Sequence, residues 1–501
     1  MHPGETPALP PWLQRDIWIS GLSGTLRGAS MIQAVIDDLL QRQPQIRQQL
    51  DTFLRLESVS ADPAYAAGMA ATREFLLGWL RDIGLENVCL LDGGGQPAVF
   101  ASWSGAPGRP TLLIYGHYDV QPPAPLDQWR TPPFEPTEQD GRLYARGASD
   151  VKGSTTIAIE TVAAFLRQPG GCPVNIKLFI EGEEEVGSPS LAAIVEQHRE
   201  LLRADAMISA DGGRASAEIA TINVGARGMT SFEFSVTSAA KEVHSGRYGG
   251  TIRNALHEMA ALIASLHDRE GRIAVRDLMD AVPELTPQQR EETAAFGPDE
   301  AAFCTDVGAS PFGEPGYSLR ERVTLRPSLD INGMWGGYTG AGSKTVIPNE
   351  AFAKVSIRLV PGQDPAQARQ AVCDHLRTLC PPDCRLDFRF GRDGSPASSL
   401  PPEHPLFRAG SAVWQALSGH KPVPVRLGAT VPITAVFKEM LGIDTLMFGF
   451  NLPDEDVHAP NEFFHLESIP LGLRGWAMLL AELGRLKEAD FDAFRPVSEQ
   501  V

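Results

Sequence analysis

Several apolar runs in this sequence end on histidine or carboxylate side chains. Thr111–Tyr115 leads directly into Gly116-His117-Tyr118-Asp119, and Ile176–Ile180 into Glu181-Gly182-Glu183-Glu184-Glu185. Ala206–Ala210 leads into Asp211-Gly212-Gly213, and Thr445–Phe450 into a loop that reaches His458. Arg146-Gly147-Ala148-Ser149-Asp150 immediately precedes a helical pattern. Taken singly, each has an ordinary explanation: a structural histidine, a solvated run of glutamates, an Asp-Gly turn. Taken together, two imidazoles and three carboxylates form a nitrogen–oxygen ligand set suited to zinc, manganese or cobalt. No thiolate takes part, which fits an open catalytic centre better than a closed structural one. The histidines lie far apart, unlike the short His-x-x-x-His spacing of helical single-zinc proteases. Spacing does not say which of Glu183, Glu184 and Glu185 would be the ligand.

These residues need elements that bring them to one place. Residues 65–83 carry Met69, Phe75, Leu76, Leu80 and Ile83 at helical spacing, and Gly84 stops the run. Strands are predicted at Val88–Leu91, Ala98–Trp103, Thr111–Tyr115, Val174–Ile180 and Ala206–Ser209, with helices at Thr155–Leu166 and Pro189–Leu202. Near-continuous apolar strands alternating with helices predict an α/β fold, a mostly parallel sheet covered on both faces. In such a sheet, the residues just past the carboxyl ends of the strands line one crevice.

The texture changes at Gly225. Thr230–Val236 and Ala351–Leu359 alternate like half-exposed strands, a helix is predicted at Asn254–Leu266, and about 268–326 is polar and rich in Pro and Glu. The first texture returns with the helix Pro405–Leu417, the strand Thr445–Phe450 and the helix Ile469–Leu486. The expected organisation is a catalytic domain of residues 31–225 and 395–501, interrupted by an α+β domain over 226–394. Residues 1–30 read as a disordered leader, with Met31 opening the first helical pattern.

The bulk properties narrow the function. At 501 residues the chain predicts two domains, and a formal charge of −18 argues against nucleic-acid binding, which needs clustered Lys and Arg. No apolar stretch has the length of a membrane span, and the N-terminus lacks the pattern of a secretion signal. The six cysteines are scattered, as reduced thiols of a cytoplasmic protein are. The expected partners are therefore neither nucleic acid nor membrane.

Longer blocks carry a resemblance. Gly-His-Tyr-Asp-Val-Gln-Pro (116–122), Ala-Arg-Gly-Ala-Ser-Asp-Val-Lys-Gly (145–153), Glu-Gly-Glu-Glu-Glu-Val-Gly-Ser (181–188), Lys-Glu-Val-His-Ser-Gly-Arg-Tyr-Gly-Gly (241–250), Lys-Thr-Val-Ile-Pro (344–348), Ser-Ile-Arg-Leu-Val-Pro (356–361) and His-Ala-Pro-Asn-Glu (458–462) occur in that order. From Met31 to the C-terminus the chain resembles the co-catalytic metallopeptidase family of carnosinase, cytosolic nonspecific dipeptidase, aminoacylase and glutamate carboxypeptidase. The match is to the carnosinase-like dipeptidase branch. The resemblance implies a phosphorylase/hydrolase-like catalytic domain and an inserted dimerisation, or lid, domain.

It also implies roles. Two divalent ions, zinc with manganese or cobalt as alternatives, would be bridged by Asp150. His117 and Asp211 would complete one site, Glu185 and His458 the other. Asp119 would accept a hydrogen bond from the His117 imidazole and set its tautomer. Glu184 would be the general base for a hydroxide bridging the two ions, which attacks the amide of a dipeptide or similar short peptide. His244 would stabilise the oxyanion from the partner subunit of a homodimer, and Arg358 would clamp the substrate's terminal carboxylate. Thr345, Gly428 and Thr430 lie in blocks that contact substrate in relatives, and Thr430 stands where some relatives have Ser. An N-acyl-amino-acid deacylase on the same scaffold is the alternative enzyme. A non-catalytic regulatory subunit is the alternative class, and it would be expected to lack Glu184 or Asp150.

Overall fold

The computed structural model describes residues 26–295, 300–391 and 394–495. Residues 1–25 of the expected leader lie outside the described residues. The first helix, Leu26–Gln41, begins ahead of Met31 and takes in the rest of that leader. The chain divides into two compact units. The first runs to Val224 and includes Leu400–Pro424 and the chain from Pro432 onward; the second comprises Gly225–Ser399 and Val425–Val431.

The first unit is built on a six-stranded sheet in the order Glu86–Leu91, Ala98–Trp103, Asn175–Glu181, Thr111–His117, Ala206–Ser209, Thr445–Met447. The last four strands are mutually parallel, and the first two add antiparallel pairings at one edge. The parallel strands are buried nearly throughout because helices cover both faces. On one face Leu112, Ile114, Ile176, Leu178 and Ile208 join a core with the helices Gly153–Arg167 and Ser468–Leu483. Both helices are apolar around most of their circumference and are buried accordingly. On the other face Tyr115 stacks on Phe179, which meets Phe437 of the helix Pro432–Leu441 edge-on.

Two predicted elements end differently. The helix over 189–202 is two helices, Leu191–Gln197 and Arg199–Leu202, because the chain leaves helical angles at His198 (φ −119°, ψ 24°). The strand from Thr445 stops at Met447 instead of Phe450. There Gly449 comes so close to the neighbouring chain that a Cβ would lie 1.3 Å from the Gly212 carbonyl oxygen, so no other residue fits beside Asp211-Gly212-Gly213.

The second unit holds a four-stranded antiparallel sheet in the order Ser328–Gly336, Glu350–Leu359, Gly228–Thr237, Arg385–Phe390. Its strands alternate buried and less buried residues, and the buried set packs with the helices Ala255–Ala264 and Pro365–Leu379. The polar stretch over 268–326 contains short helices, two of them opened by capping boxes at Thr286 and Ser318. Val425–Val431, assigned from sequence to the catalytic part, belongs to this unit. Arg227 holds it by donating its main-chain N–H to Leu427 O at 3.1 Å and its Nε to Gly428 O at 2.8 Å.

Candidate metal centre

The centre of the first unit's sheet brings the predicted residues together. Thr111–His117 lies between Asn175–Glu181 and Ala206–Ser209, all parallel, so these strands deliver His117, the glutamate run and Asp211 to one edge. Asp150 arrives on a distorted turn, Ala148–Lys152, just ahead of the helix Gly153–Arg167. His458 arrives on the loop beyond Thr445–Met447. The result is two donor groups, His117 with Asp150 and Asp211, and Asp150 with Glu185 and His458, which share Asp150.

His117 Nε2 is 3.1 Å from Asp150 Oδ1 and 3.9 Å from Asp211 Oδ2. His458 Nε2 is 2.9 Å from Asp150 Oδ2 and 3.1 Å from Glu185 Oε2. Each oxygen of Asp150 thus faces a different imidazole. Donors held at ~2.0–2.2 Å around one tetrahedral ion stand roughly 3.3–3.6 Å apart, and the spacings of 2.9–3.9 Å bracket that range. The residues fit a pair of divalent cations.

The charges point the same way. Burial pushes the Asp211 carboxyl up to about 6, and nearby Asp150 adds to it. Glu184 is pushed up to about 8, first by burial; His117 opposes, and the charges of Asp211, Asp150 and Glu185 add to the rise. Burial alone would raise Asp150 as well, but hydrogen bonds with His117 and His458 hold it well below the usual carboxylate range. Hydrogen bonds to Asp150 and Glu185 raise His458 to about 10. Carboxylates outnumber imidazoles in a buried space, and bound cations would relieve that imbalance.

The geometry separates the three glutamates that spacing could not. Glu183 is turned away: Oε1 accepts from Gln96 N at 2.9 Å, and Oε2 accepts from Ser190 N at 3.1 Å and from the Ser190 hydroxyl. Glu185 faces His458, and Gln121 Nε2 donates to its Oε2 at 2.9 Å. Among the described residues, no hydrogen-bond donor engages the carboxylate of Glu184, although charges of both donor groups act on it.

Asp119 has a wider role than the expected imidazole contact. His117 Nδ1 lies 3.0 Å from the main-chain carbonyl of Asp119 and 3.5 Å from its carboxylate. A carbonyl only accepts, so Nδ1 carries a proton and donates to it, which turns Nε2 toward Asp150. The carboxylate accepts from Glu184 N at 3.2 Å, Glu185 N at 3.1 Å and Ser60 Oγ at 2.6 Å, which ties the glutamate turn to the His117 strand.

The remaining predicted residues form two groups in the second unit. His244 is exposed and its Nδ1 accepts from Gly246 N at 3.0 Å; beside it, Thr345 O accepts from Ser245 N at 3.0 Å. Arg358 donates from Nη1 to Thr430 Oγ1 at 2.7 Å. Gly428 packs so closely that a Cβ would meet Val323 O at 2.6 Å. Sequence reasoning missed Arg227, whose partly buried guanidinium supports this segment and is pushed down to about 10 by burial and the charge of Arg358. It also missed Gln121 and Glu462, though both lie inside the blocks that carried the resemblance.

A family model described as peptidase family M20/M25/M40 matches residues 113–482. The chain is 29% identical over 455 residues to Cys-Gly metallodipeptidase dug1 of Schizosaccharomyces pombe, covering 87% of this chain and 94% of that protein. It is 29% identical over 470 residues to Beta-Ala-His dipeptidase of Homo sapiens, covering 90% of this chain and 89% of that one. Among solved structures, human carnosine dipeptidase 1 superposes with a TM-score of 0.70 at 27% identity, over 91% of this chain and 99% of that one. The M20 family metallo-carboxypeptidase Sso-CP2 from Sulfolobus solfataricus gives 0.74 at 29%, over 88% and 99%.

Proposed function

The chain belongs to peptidase family M20/M25/M40, and we propose that it hydrolyses dipeptides or similar short peptide-like amides with two divalent cations held around Asp150. The observation that carries this reading is the shared carboxylate: Asp150 belongs to both donor groups. His117 and Asp211 would complete one cation site, Glu185 and His458 the other. Cations bound there would polarise the scissile carbonyl and lower the pKa of an attacking water. Zinc suits the mixed imidazole and carboxylate set, and manganese or cobalt can replace it.

The chain's own groups then have distinct roles. Glu184 takes the proton of the attacking water and gives it to the departing amine. It is suited to this because no donor in the described protein occupies its carboxylate. Asp119 fixes the His117 tautomer and, through its hold on Glu184 N and Glu185 N, the placement of the base. Arg358 binds the substrate's terminal carboxylate, with Thr430 ordering the guanidinium and Gly428 and Thr345 lining the substrate; this favours substrates with a free C-terminus. His244 donates to the developing oxyanion from the partner subunit of a homodimer. The names of two relatives, a Cys-Gly metallodipeptidase and a Beta-Ala-His dipeptidase, support dipeptides as the substrate class of this chain. No helix among the described residues is long and apolar enough to cross a membrane, and the scattered free thiols suit the cytoplasm.

The experiment strips the protein with a chelator, reloads it with zinc, manganese or cobalt, and assays dipeptides, N-acetyl amino acids and tripeptides. Stripped protein is expected to be inactive, and reloaded protein to cleave dipeptides fastest. Full activity without metal, or a preference for N-acetyl amino acids, would overturn the reading. Faster release of C-terminal residues from tripeptides would make it a carboxypeptidase instead.

A further inference from the structure

Asp150 is aimed by a residue that belongs to neither donor group. Glu462 is 1% exposed, and its carboxylate accepts four hydrogen bonds, two on each oxygen. Oε2 accepts from Arg146 Nη1 at 2.6 Å and Gly147 N at 3.0 Å. Oε1 accepts from Ser149 N and from Asp150 N, both at 3.0 Å. One side chain therefore organises the turn that ends in the shared carboxylate, in the way converging backbone N–H groups surround an anion.

Glu462 also lies on the loop that carries His458, and the two ends of this contact reinforce each other. Arg146 Nη2 reaches His458 O at 3.4 Å. His458 and Asn461 sit in the left-handed region, at φ +65° and +68°. Such backbone is uncommon outside glycine and persists only where its surroundings fix it. Asn461 is fixed by its side chain, which accepts from Arg130 N at 2.7 Å and donates to Gln128 O at 2.9 Å. Glu462 fixes the next position by binding the Asp150 turn. A second buried acid, Glu455, supports the same turn by accepting from the Ser149 hydroxyl at 2.5 Å.

We propose that Glu462 is a positioning residue for both cations: it aims the Asp150 carboxylate and ties it to the loop of His458 without touching either ion. This rests on the reading above, that two divalent cations share Asp150. A carboxylate is required by the donor pattern. Glutamine would turn an N–H2 group toward two of the four donors and leave Arg146 buried without its counter-charge. Aspartate would keep the charge but is one methylene too short to serve Arg146 and the backbone of Ser149 and Asp150 together.

The test measures zinc binding by chelator competition in wild-type protein, Glu462→Gln and Glu462→Asp, with melting temperatures of the zinc-free and zinc-saturated forms. Wild-type protein is expected to take up two zinc ions per chain. Both variants are expected to bind zinc about 10–100-fold more weakly, the usual cost of losing a group that orients a ligand. At a fixed subsaturating zinc concentration, their gain in melting temperature should be smaller than that of wild type. A residue that only supports the fold would lower the zinc-free melting temperature and leave zinc affinity and that gain unchanged, and this result overturns the proposal. If Glu462→Gln does not fold, Glu462→Asp, which keeps the ion pair charged, decides alone. Wild-type protein that takes up no zinc would instead overturn the reading of the metal centre, and this proposal with it.

Discussion

Glu184→Gln is expected to lower turnover by about 10²–10⁴-fold, the range for a lost general base, while metal content stays that of wild type. The exchange preserves size and removes only the ability to accept a proton. Among the described residues no donor engages the Glu184 carboxylate, whereas Glu183 is consumed by Gln96 and Ser190, and Glu185 faces His458. KM is expected to change little, because a group that acts on the proton in the transition state contributes little to ground-state binding. Glu185→Gln should behave differently and lose metal, since it removes a donor from the second group. Steady-state kinetics and metal analysis on both variants check this. Metal loss from Glu184→Gln with retention in Glu185→Gln would exchange the two roles.

A mixture of His244→Ala and Glu184→Gln proteins, each nearly inactive alone, is expected to regain a substantial fraction of wild-type activity once subunits exchange. His244 is exposed on the second unit, and among the described residues its ring hydrogen-bonds only with Gly246 N, which leaves Nε2 to donate outward. The same unit exposes Met334, Trp335 and Tyr338, at 52%, 43% and 49%, on and just beyond the edge strand Ser328–Gly336, as a surface that a second copy would cover. If His244 acts across a two-fold axis, a mixed dimer has one site with both defects and one with neither. Loss of an oxyanion donor typically costs about 10²–10³-fold, so recovery should stand well above either parent. A mixture that stays inactive after exchange is shown by mass spectrometry would place His244 in its own chain's site or outside catalysis.

The elements that bear the site were legible because their physics is strong. Ala98–Trp103, Thr111–Tyr115 and Ala206–Ser209 are near-continuous apolar runs, and each lies in a strand of the central sheet. Residues at the carboxyl ends of such strands share one crevice, so strand pattern alone groups His117, Asp211 and the glutamate run. Division of labour among the glutamates was not legible, because Glu183, Glu184 and Glu185 are identical side chains, and the path of the turn decides which one meets Ser190 and which one meets His458 and Gln121. The edge strand Ser328–Gly336 escaped notice because its pairing with Glu350–Leu359 is interrupted between Ile331 and Gly333 and much of it is exposed, which erases the alternation. Glu462 could not be singled out either. Its importance lies in four donors, three of them backbone N–H groups that any residue would supply.

The most direct test of the account is anomalous diffraction at the zinc edge from crystals of zinc-loaded protein. Two peaks per chain are expected, one against His117 and Asp211 and the other against Glu185 and His458, with Asp150 in contact with both. A single peak, or two peaks without Asp150 between them, would contradict a centre organised around one shared carboxylate.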